Sequence, residues 1–320
     1  MRLAPQARQR PRRAVGILAR VADPLLLLPD FLLILVGFVI CRGTALDRRV
    51  WDAAERLVYF LLFPVLLFTS ILKSPLKPAE AFDLGLAGVA MLAVGIAVAL
   101  GIGRWPGVDK RLHASGAQVA YRFNSYIALA LAERLYGAQG LAWMALLMAL
   151  SIPICNAAAV WPLARHGGQS YGREIARNPL IISTVLGLVG NIAGLSLPEP
   201  VTTTLQRIGL AALPIGLMAV GAGLTLGGLK AAPGLATSLL AIRHALLPAV
   251  AIALALLLHL PPEQRSIVVL FGSMPTAASA YVLAARMGGD GSFVAGLVTV
   301  STVLGMVSIP LWLAVLGLVS

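Results

Sequence analysis

Residues 29–37 read PDFLLILVG, and residues 179–187 read PLIISTVLG. Each is an apolar run opened by proline and closed by glycine, and the two lie 150 residues apart at both ends. The same offset separates Pro64 from Pro214, while 151 residues separate Gly137 from Gly288 and Asn124 from Pro275. A layout of helix-breaking residues that recurs once along a chain points to duplication of one structural unit. In a very hydrophobic chain such duplication is a signature of secondary transporters, which hold their substrate where the two halves meet.

Composition sets the environment. The chain has 320 residues, of which 59% are hydrophobic and only 12% charged, and its mean hydropathy is +0.89. Soluble domains carry about 25% charged residues, so most side chains here face lipid or other helices. The apolar runs are long and continuous rather than alternating, which selects membrane helices over a membrane barrel. The net charge of +12 then reads as Lys and Arg decorating loops, and no nucleic-acid partner is expected. Cys41 and Cys155 sit in or beside apolar runs without metal-ligand spacing.

Ten spans are predicted, at roughly 24–41, 54–73, 82–103, 116–135, 140–163, 178–195, 201–226, 234–259, 265–287 and 290–318. Five spans per copy is an odd number, so the second copy lies upside down relative to the first: an inverted repeat. The division expected is a basic tail over 1–22, a first five-helix repeat over 23–164, a connecting loop over 165–177 and a second repeat over 178–320. Loops after the odd-numbered spans carry most of the loop arginines and lysines, among them Arg42, Arg48, Arg104, Arg165, Lys230, Arg243 and Arg286. The positive-inside rule puts that side in the cytoplasm and both termini outside. The tail, with Arg2, Arg8, Arg10, Arg12, Arg13 and Arg20, counts against this orientation. It lacks the apolar run and small-residue site of a cleaved signal peptide and reads as a disordered segment touching anionic lipid.

The fourth and ninth spans are the least membrane-like, and they occupy matching places in the two halves. The fourth holds Gln118, Arg122, Asn124, Ser125 and Tyr126; the ninth holds Gly272, Ser273, Pro275, Thr276, Ser279 and Tyr281. Pro275 has no N–H to give, which frees the carbonyl of Phe271 and loosens Gly272. Unwound backbone at membrane depth is tolerated only where it is buried or lines a cavity. A half-helix restarting near Thr276 would aim free N–H groups there, and such ends favour anions; the plainer alternative is a packed proline kink. Asn124 can donate and accept at once, toward a carboxylate or a freed carbonyl, or it can act as interhelical glue. Arg122 reads as the only cation well inside a span. It is either a two-point clamp for a carboxylate or a side chain snorkelling to the interface.

Enzymatic readings find little support. His113, His166, His244 and His259 read as loop or span-end residues, and none has metal-ligand spacing. No carboxylate pair occupies a helix interior, and no Walker loop is present. Neither an enzyme, a metal nor a cofactor is expected.

The residues also resemble a known family. The run PDFLLILVGF from Pro29, RLVYFLLFPVLLF from Arg56, YRFNSYIALALAE from Tyr121, RNPLIISTVLG from Arg177 and FGSMPTAASAYVLA from Phe271 are similar to motifs of the auxin efflux carrier family, bacterial type, in family order from about Leu28 onward. The resemblance implies an all-α integral membrane protein of ten transmembrane helices in two inverted repeats. Helices 4 and 9 would be broken and cross at Asn124 and Pro275, with Phe123 and Gly272 completing the hinge. It further implies a scaffold of helices 1, 2, 6 and 7, a transport unit of helices 3–5 and 8–10, and elevator-like alternating access. The family's substrates are organic anions, auxin in plants and dicarboxylates such as malate or malonate in bacteria. The plant members' proline before the crossing asparagine is replaced here by Phe123, so the break in helix 4 is the less secure of the two.

The expected function is a secondary carrier for a small organic anion in a bacterial inner membrane. Its substrate site is expected at Arg122, Asn124, Ser125, Tyr126, Pro275, Thr276 and Ser279. The alternatives are a membrane sensor or scaffold that binds such an anion without moving it, and a sodium-coupled carrier with a bile-acid-transporter-like fold. The expected partners are the anion and the bilayer, with a homodimer as a further candidate.

Overall fold

In the computed structural model of the chain, residues 24–73, 78–163, 179–225, 228–277 and 279–319 are described. The basic tail over 1–22 and the connecting loop over 165–177 lie outside them. The described residues form helices and turns, with no strand among them. In chain order the helices are α1 (Pro24–Gly43), α2 (Arg48–Leu72), α3 (Pro78–Ile102), α4 (Lys110–Gly116) and α5 (Ser125–Leu163). They are followed by α6 (Pro179–Ile192), α7 (Glu199–Ala222), α8 (Pro233–Leu257), α9 (Pro262–Ser273), α10 (Ser279–Arg286) and α11 (Gly291–Val319). Among the described residues six helical stretches, Arg48–Leu72, Ala81–Ile102, Lys110–Val160, Glu199–Ala222, Pro233–Leu257 and Gly291–Val319, are long and apolar enough to cross a membrane. The protein is therefore an α-helical, multi-pass membrane protein.

The punctuation read from the sequence has local consequences. Gly137 adopts φ +56° and Gly288 φ +75°, a left-handed backbone that glycine accepts without a Cβ clash. Gly137 lets two helical segments meet within α5, and Gly288 lies in the turn between α10 and α11. A five-residue π-turn precedes Pro64 at Val58–Leu62, and another precedes Pro248 at Ile242–Leu246. Proline removes the donor that would close the regular ladder, and the widened turn absorbs the mismatch. The His244 carbonyl, four residues before Pro248, accepts instead from the Trp312 indole N–H at 2.7 Å.

Contacts sort the helices into two groups. In the first, α1 packs on α7, and α2 packs on α6 and α7. The α1–α7 crossing is made by glycines: a Cβ on Gly37 would fall 1.9 Å from the Met218 oxygen, and one on Gly221 would fall 1.7 Å from the Ile34 oxygen. Between α2 and α6, Asn191 donates to the Ile71 and Leu72 carbonyls at 3.1 and 3.0 Å, satisfying the last turn of α2. In the second group α3, α5, α8, α9 and α11 pack on one another, with α4 and α10 against α11. Besides its place in that group, α5 touches α1, α2, α6 and α7. Asp30 of α1 pairs there with Arg134 of α5 through both carboxylate oxygens.

Helix boundaries differ from the sequence reading in ways that matter. The second helix begins at Arg48 rather than near residue 54, with Asp47 as its cap accepting from the Arg49 N–H. Arg48, Asp52, Glu55 and Arg56 are thus helical and not loop residues. Arg243 and His244, read as loop or span-end groups, sit near the middle of α8. Their hydrogen bonds run to groups distant in sequence, which local pattern does not reveal.

Candidate functional site

Both polar spans are broken, at corresponding places. The helical path of α4 continues as a tight turn through Ala117–Ala120, loses helical form over residues 121–124 and restarts as α5 at Ser125. On the other side α9 ends at Ser273, residues 274–277 are irregular, and α10 starts at Ser279. The two breaks touch: the Asn124 backbone N–H donates to the Pro275 carbonyl at 2.8 Å. Residues paired by a 151-residue offset in sequence are therefore hydrogen-bonded partners in space.

Each break is held by side chains. The Asn124 side-chain oxygen accepts from the N–H groups of Tyr126 at 3.0 Å and Ile127 at 3.2 Å, which caps α5. Its amide nitrogen Nδ2 is buried and has no hydrogen-bond partner. Gln118 donates to the carbonyls of Ser115 and, across the crossing, Ala280 at 3.2 Å. Phe123, buried, packs edge-on against Phe271 of α9 with ring centres 4.6 Å apart. An aromatic contact thus packs at the residue before the crossing asparagine.

Arg122 bridges the two breaks. It donates to the Gln118 side-chain oxygen at 3.0 Å and to the Ser279 hydroxyl at 3.1 Å. The guanidinium thus lies at the N-terminal end of α10.

The α9 break resolves as the missing donor of Pro275 dictates. The Thr276 N–H, which a continuous helix would direct at the Gly272 carbonyl, donates to the Ser301 hydroxyl at 3.0 Å. The freed carbonyls of Phe271 and Gly272 both accept from Arg243 Nη2, at 3.0 and 2.8 Å. Arg243 is fully buried. The Thr276 hydroxyl is buried without a partner. Gly272 has no room for a side chain, since a Cβ would lie 2.9 Å from the Met91 sulfur and 2.9 Å from Ala251. The Pro275 ring lies over Gly305 of α11, 3.3 Å from where a Cβ would sit and so closer than ordinary van der Waals contact.

A cavity of about 230 Å³ opens beside the crossing. Asn124, Ser125, Tyr126 and Ser279 line it, so the N-terminal ends of α5 and α10 both face it. Pro275, Thr276 and Arg122 stand behind this wall rather than on it. Arg48, Asp52 and Glu55 of α2 line the same cavity, and the sequence reading assigned none of them to the site. Arg48 Nη2 pairs with Asp52 at 2.9 Å and Glu55 at 3.1 Å. The available signal was their spacing of four and three residues, which places all three on one helical face. Sites for drug-sized ligands run from about 300 Å³ upward, so this volume suits a smaller molecule. Two half-helix N-termini, a buried amide donor and a nearby guanidinium are what an anion needs.

Comparison with known proteins bears on the whole chain. The profile of the family described as "Membrane transport protein" matches residues 109–313, which include both breaks. An uncharacterized transporter of Methanothermobacter thermautotrophicus is 26% identical over 292 residues, 89% of this chain and 95% of its own length. A Rhizobium meliloti protein, named as a candidate malonate transporter, is 25% identical over 275 residues, covering 82% of this chain and 86% of that protein. A multi-pass helical chain with this match is a membrane transporter. It belongs to the membrane transport protein family of auxin efflux carriers, a family of transporters and not of enzymes.

Proposed function

We propose that this protein is a secondary active carrier that moves a small organic anion, a carboxylate, across a bacterial inner membrane by elevator-like alternating access. The observation that carries the reading is the Asn124 amide nitrogen. It is buried and without a partner, in a residue that lines a cavity where two half-helix N-termini converge. A buried donor left unpaired costs about 1–3 kcal/mol, a cost removed when a substrate oxygen accepts from it. Ser125, Tyr126 and Ser279 complete the wall, Arg122 supplies positive charge, and the Pro275–Thr276 turn holds the crossing.

In this reading the chain spans the membrane ten times, as two inverted five-helix repeats over 23–164 and 178–320. Helices α1, α2, α6 and α7 form the fixed frame, and the group containing both breaks moves with the substrate. The grouping of helix contacts supports that division, and Phe123, Asn124, Gly272 and Pro275 form the hinge of the crossing. Exposed apolar residues such as Leu35 and Val39 on α1, and Leu186 and Val189 on α6, suit a lipid-facing frame. The name of the Rhizobium meliloti relative makes malonate the first substrate to try.

The test is uptake of labelled malonate, malate and indole-3-acetate into proteoliposomes, with and without imposed proton or sodium gradients. Saturable uptake of at least one anion is expected, and the gradient that drives it names the coupling. Arg122→Ala should raise KM about 10-fold, as expected for loss of a positive charge near the site worth roughly 1–2 kcal/mol at an effective dielectric constant of about 20. Saturable binding with no flux would instead make the protein a sensor. An unchanged KM in the variant would remove Arg122 from the site.

A further inference from the structure

The Arg243 guanidinium is fully buried in the middle of α8, behind the crossing. One nitrogen, Nη2, donates to two carbonyls at the break: that of Phe271, which also accepts from the Met274 N–H, and that of Gly272, whose helical donor at Thr276 turns to Ser301. The other two, Nε and Nη1, are buried and have no hydrogen-bond partner. Among the described residues no carboxylate pairs with Arg243. Of the helices packed around it, Pro233–Leu257 and Gly291–Val319 contain no Asp or Glu, Pro262–Ser273 has Glu263 in its first turn, and Pro78–Ile102 has Glu80 and Asp83 within its first two turns.

Capping two carbonyls does not require this side chain. A neutral amide carries two N–H donors and avoids the large cost of burying an uncompensated charge. A guanidinium used through one nitrogen, with its remaining donors and its full charge unmatched, is poor structural chemistry and good electrostatics. It places a permanent positive charge in a medium of low dielectric, where a substrate anion is the compensating partner.

Charge is divided between the two helix groups. On the side of the broken helices, Arg122 and Arg243 stand at or behind the crossing. In the other group, Asp52 and Glu55 belong to α2 and are paired with Arg48. We propose that Arg243 is a built-in countercharge that travels with the substrate, so that together with Arg122 it lets a dianion cross as a load of no net charge. This rests on the carrier reading above, in which the elements bearing both arginines move together. Arg243 does not touch the cavity; it acts through the field it sets there and through the two carbonyls it holds.

Over a complete cycle the protein's own charges return to where they started. The countercharge is therefore read in exchange mode, where only loaded carriers cross. The probe is labelled malonate, self-exchanging across proteoliposomes whose membrane potential is set by potassium and valinomycin. With the wild-type protein, malonate exchange should be the same at zero and at −100 mV. In R243Q the loaded unit carries one uncompensated negative charge, and exchange should change several-fold over that range, because one charge crossing the full potential biases an equilibrium about fifty-fold per 100 mV. R243K keeps the charge and should keep the flat response, even if its rate falls through poorer capping. A measurement on the wild type alone guards against misfolding of the variants: the monoanion monomethyl malonate should exchange with a voltage dependence that malonate lacks. R243Q exchange as flat as wild type, or wild-type malonate exchange that is steeply voltage-dependent, overturns the countercharge while leaving the carrier intact. Absence of any wild-type exchange overturns the carrier reading and this proposal with it.

Discussion

Asn124→Ala should reduce saturable malonate uptake by about 100-fold or more in kcat/KM, a loss of roughly 3 kcal/mol in the productive complex. The protein should still fold. The contact between the two breaks uses the Asn124 backbone N–H, which donates to Pro275 at 2.8 Å and survives the substitution. What is lost is the cap of α5, worth about 1 kcal/mol, and a buried donor without a partner in a residue that lines the cavity. Asn124→Asp separates these two roles. Aspartate caps a helix as well as asparagine, so α5 keeps its start, but a carboxylate replaces the donor and repels an anion. Transport should therefore be lost in Asn124→Asp with the melting temperature little changed. Retained uptake in this variant would make Asn124 a cap and nothing more.

Gly221→Ala should be the most damaging single-methyl addition in the frame. The new Cβ would stand 1.7 Å from the Ile34 carbonyl oxygen, a backbone atom of α1 that no rotamer change can move. Gly37→Ala presents the same clash from the other helix, 1.9 Å from the Met218 oxygen. Membrane helices associate largely by close backbone packing at small residues, so forcing α1 and α7 apart forfeits the contact along its length. The expected cost is several kcal/mol, in the range that marks severe overpacking. Thermal unfolding in detergent, followed by intrinsic fluorescence and by loss of the monodisperse peak, should show a midpoint lower by about 10 °C or more, or no folded protein. Gly317→Ala, with nothing within 4 Å of its Cβ position, is the matched control and should melt like wild type. A Gly221→Ala protein as stable as that control would contradict the close α1–α7 approach.

How much of this was legible in the sequence follows from where each feature gets its partners. Local grammar announced the glycines at 137 and 288, and both adopt left-handed backbone. It also announced the α9 break, because Pro275 removes a donor by its own chemistry. The break at residues 121–124 has no such mark. It is held by Asn124, Gln118 and Arg122 reaching to the other half of the chain, and by the packing of Phe123 on Phe271. Arg243 was misread because charge reckoning assigns an arginine to the nearest loop; its actual partners lie 28 and 29 residues further on. Arg48 and Asp52 fell outside the predicted second span because a charged first turn depresses hydropathy, although α2 is already helical there. The residue set around the crossing was thus readable as a cluster, while the charges that frame it came from tertiary structure alone.

Counterflow tests the central claim most directly. Proteoliposomes are loaded with unlabelled malonate, diluted into a trace of labelled malonate, and sampled over time in the absence of any ion gradient. Alternating access predicts a transient overshoot of label inside the vesicles, because each outward-moving unlabelled malonate returns a loaded site to the outer face. The overshoot should vanish in Asn124→Asp. Label that only equilibrates, or that binds without entering, would contradict a carrier built on the Asn124–Pro275 crossing.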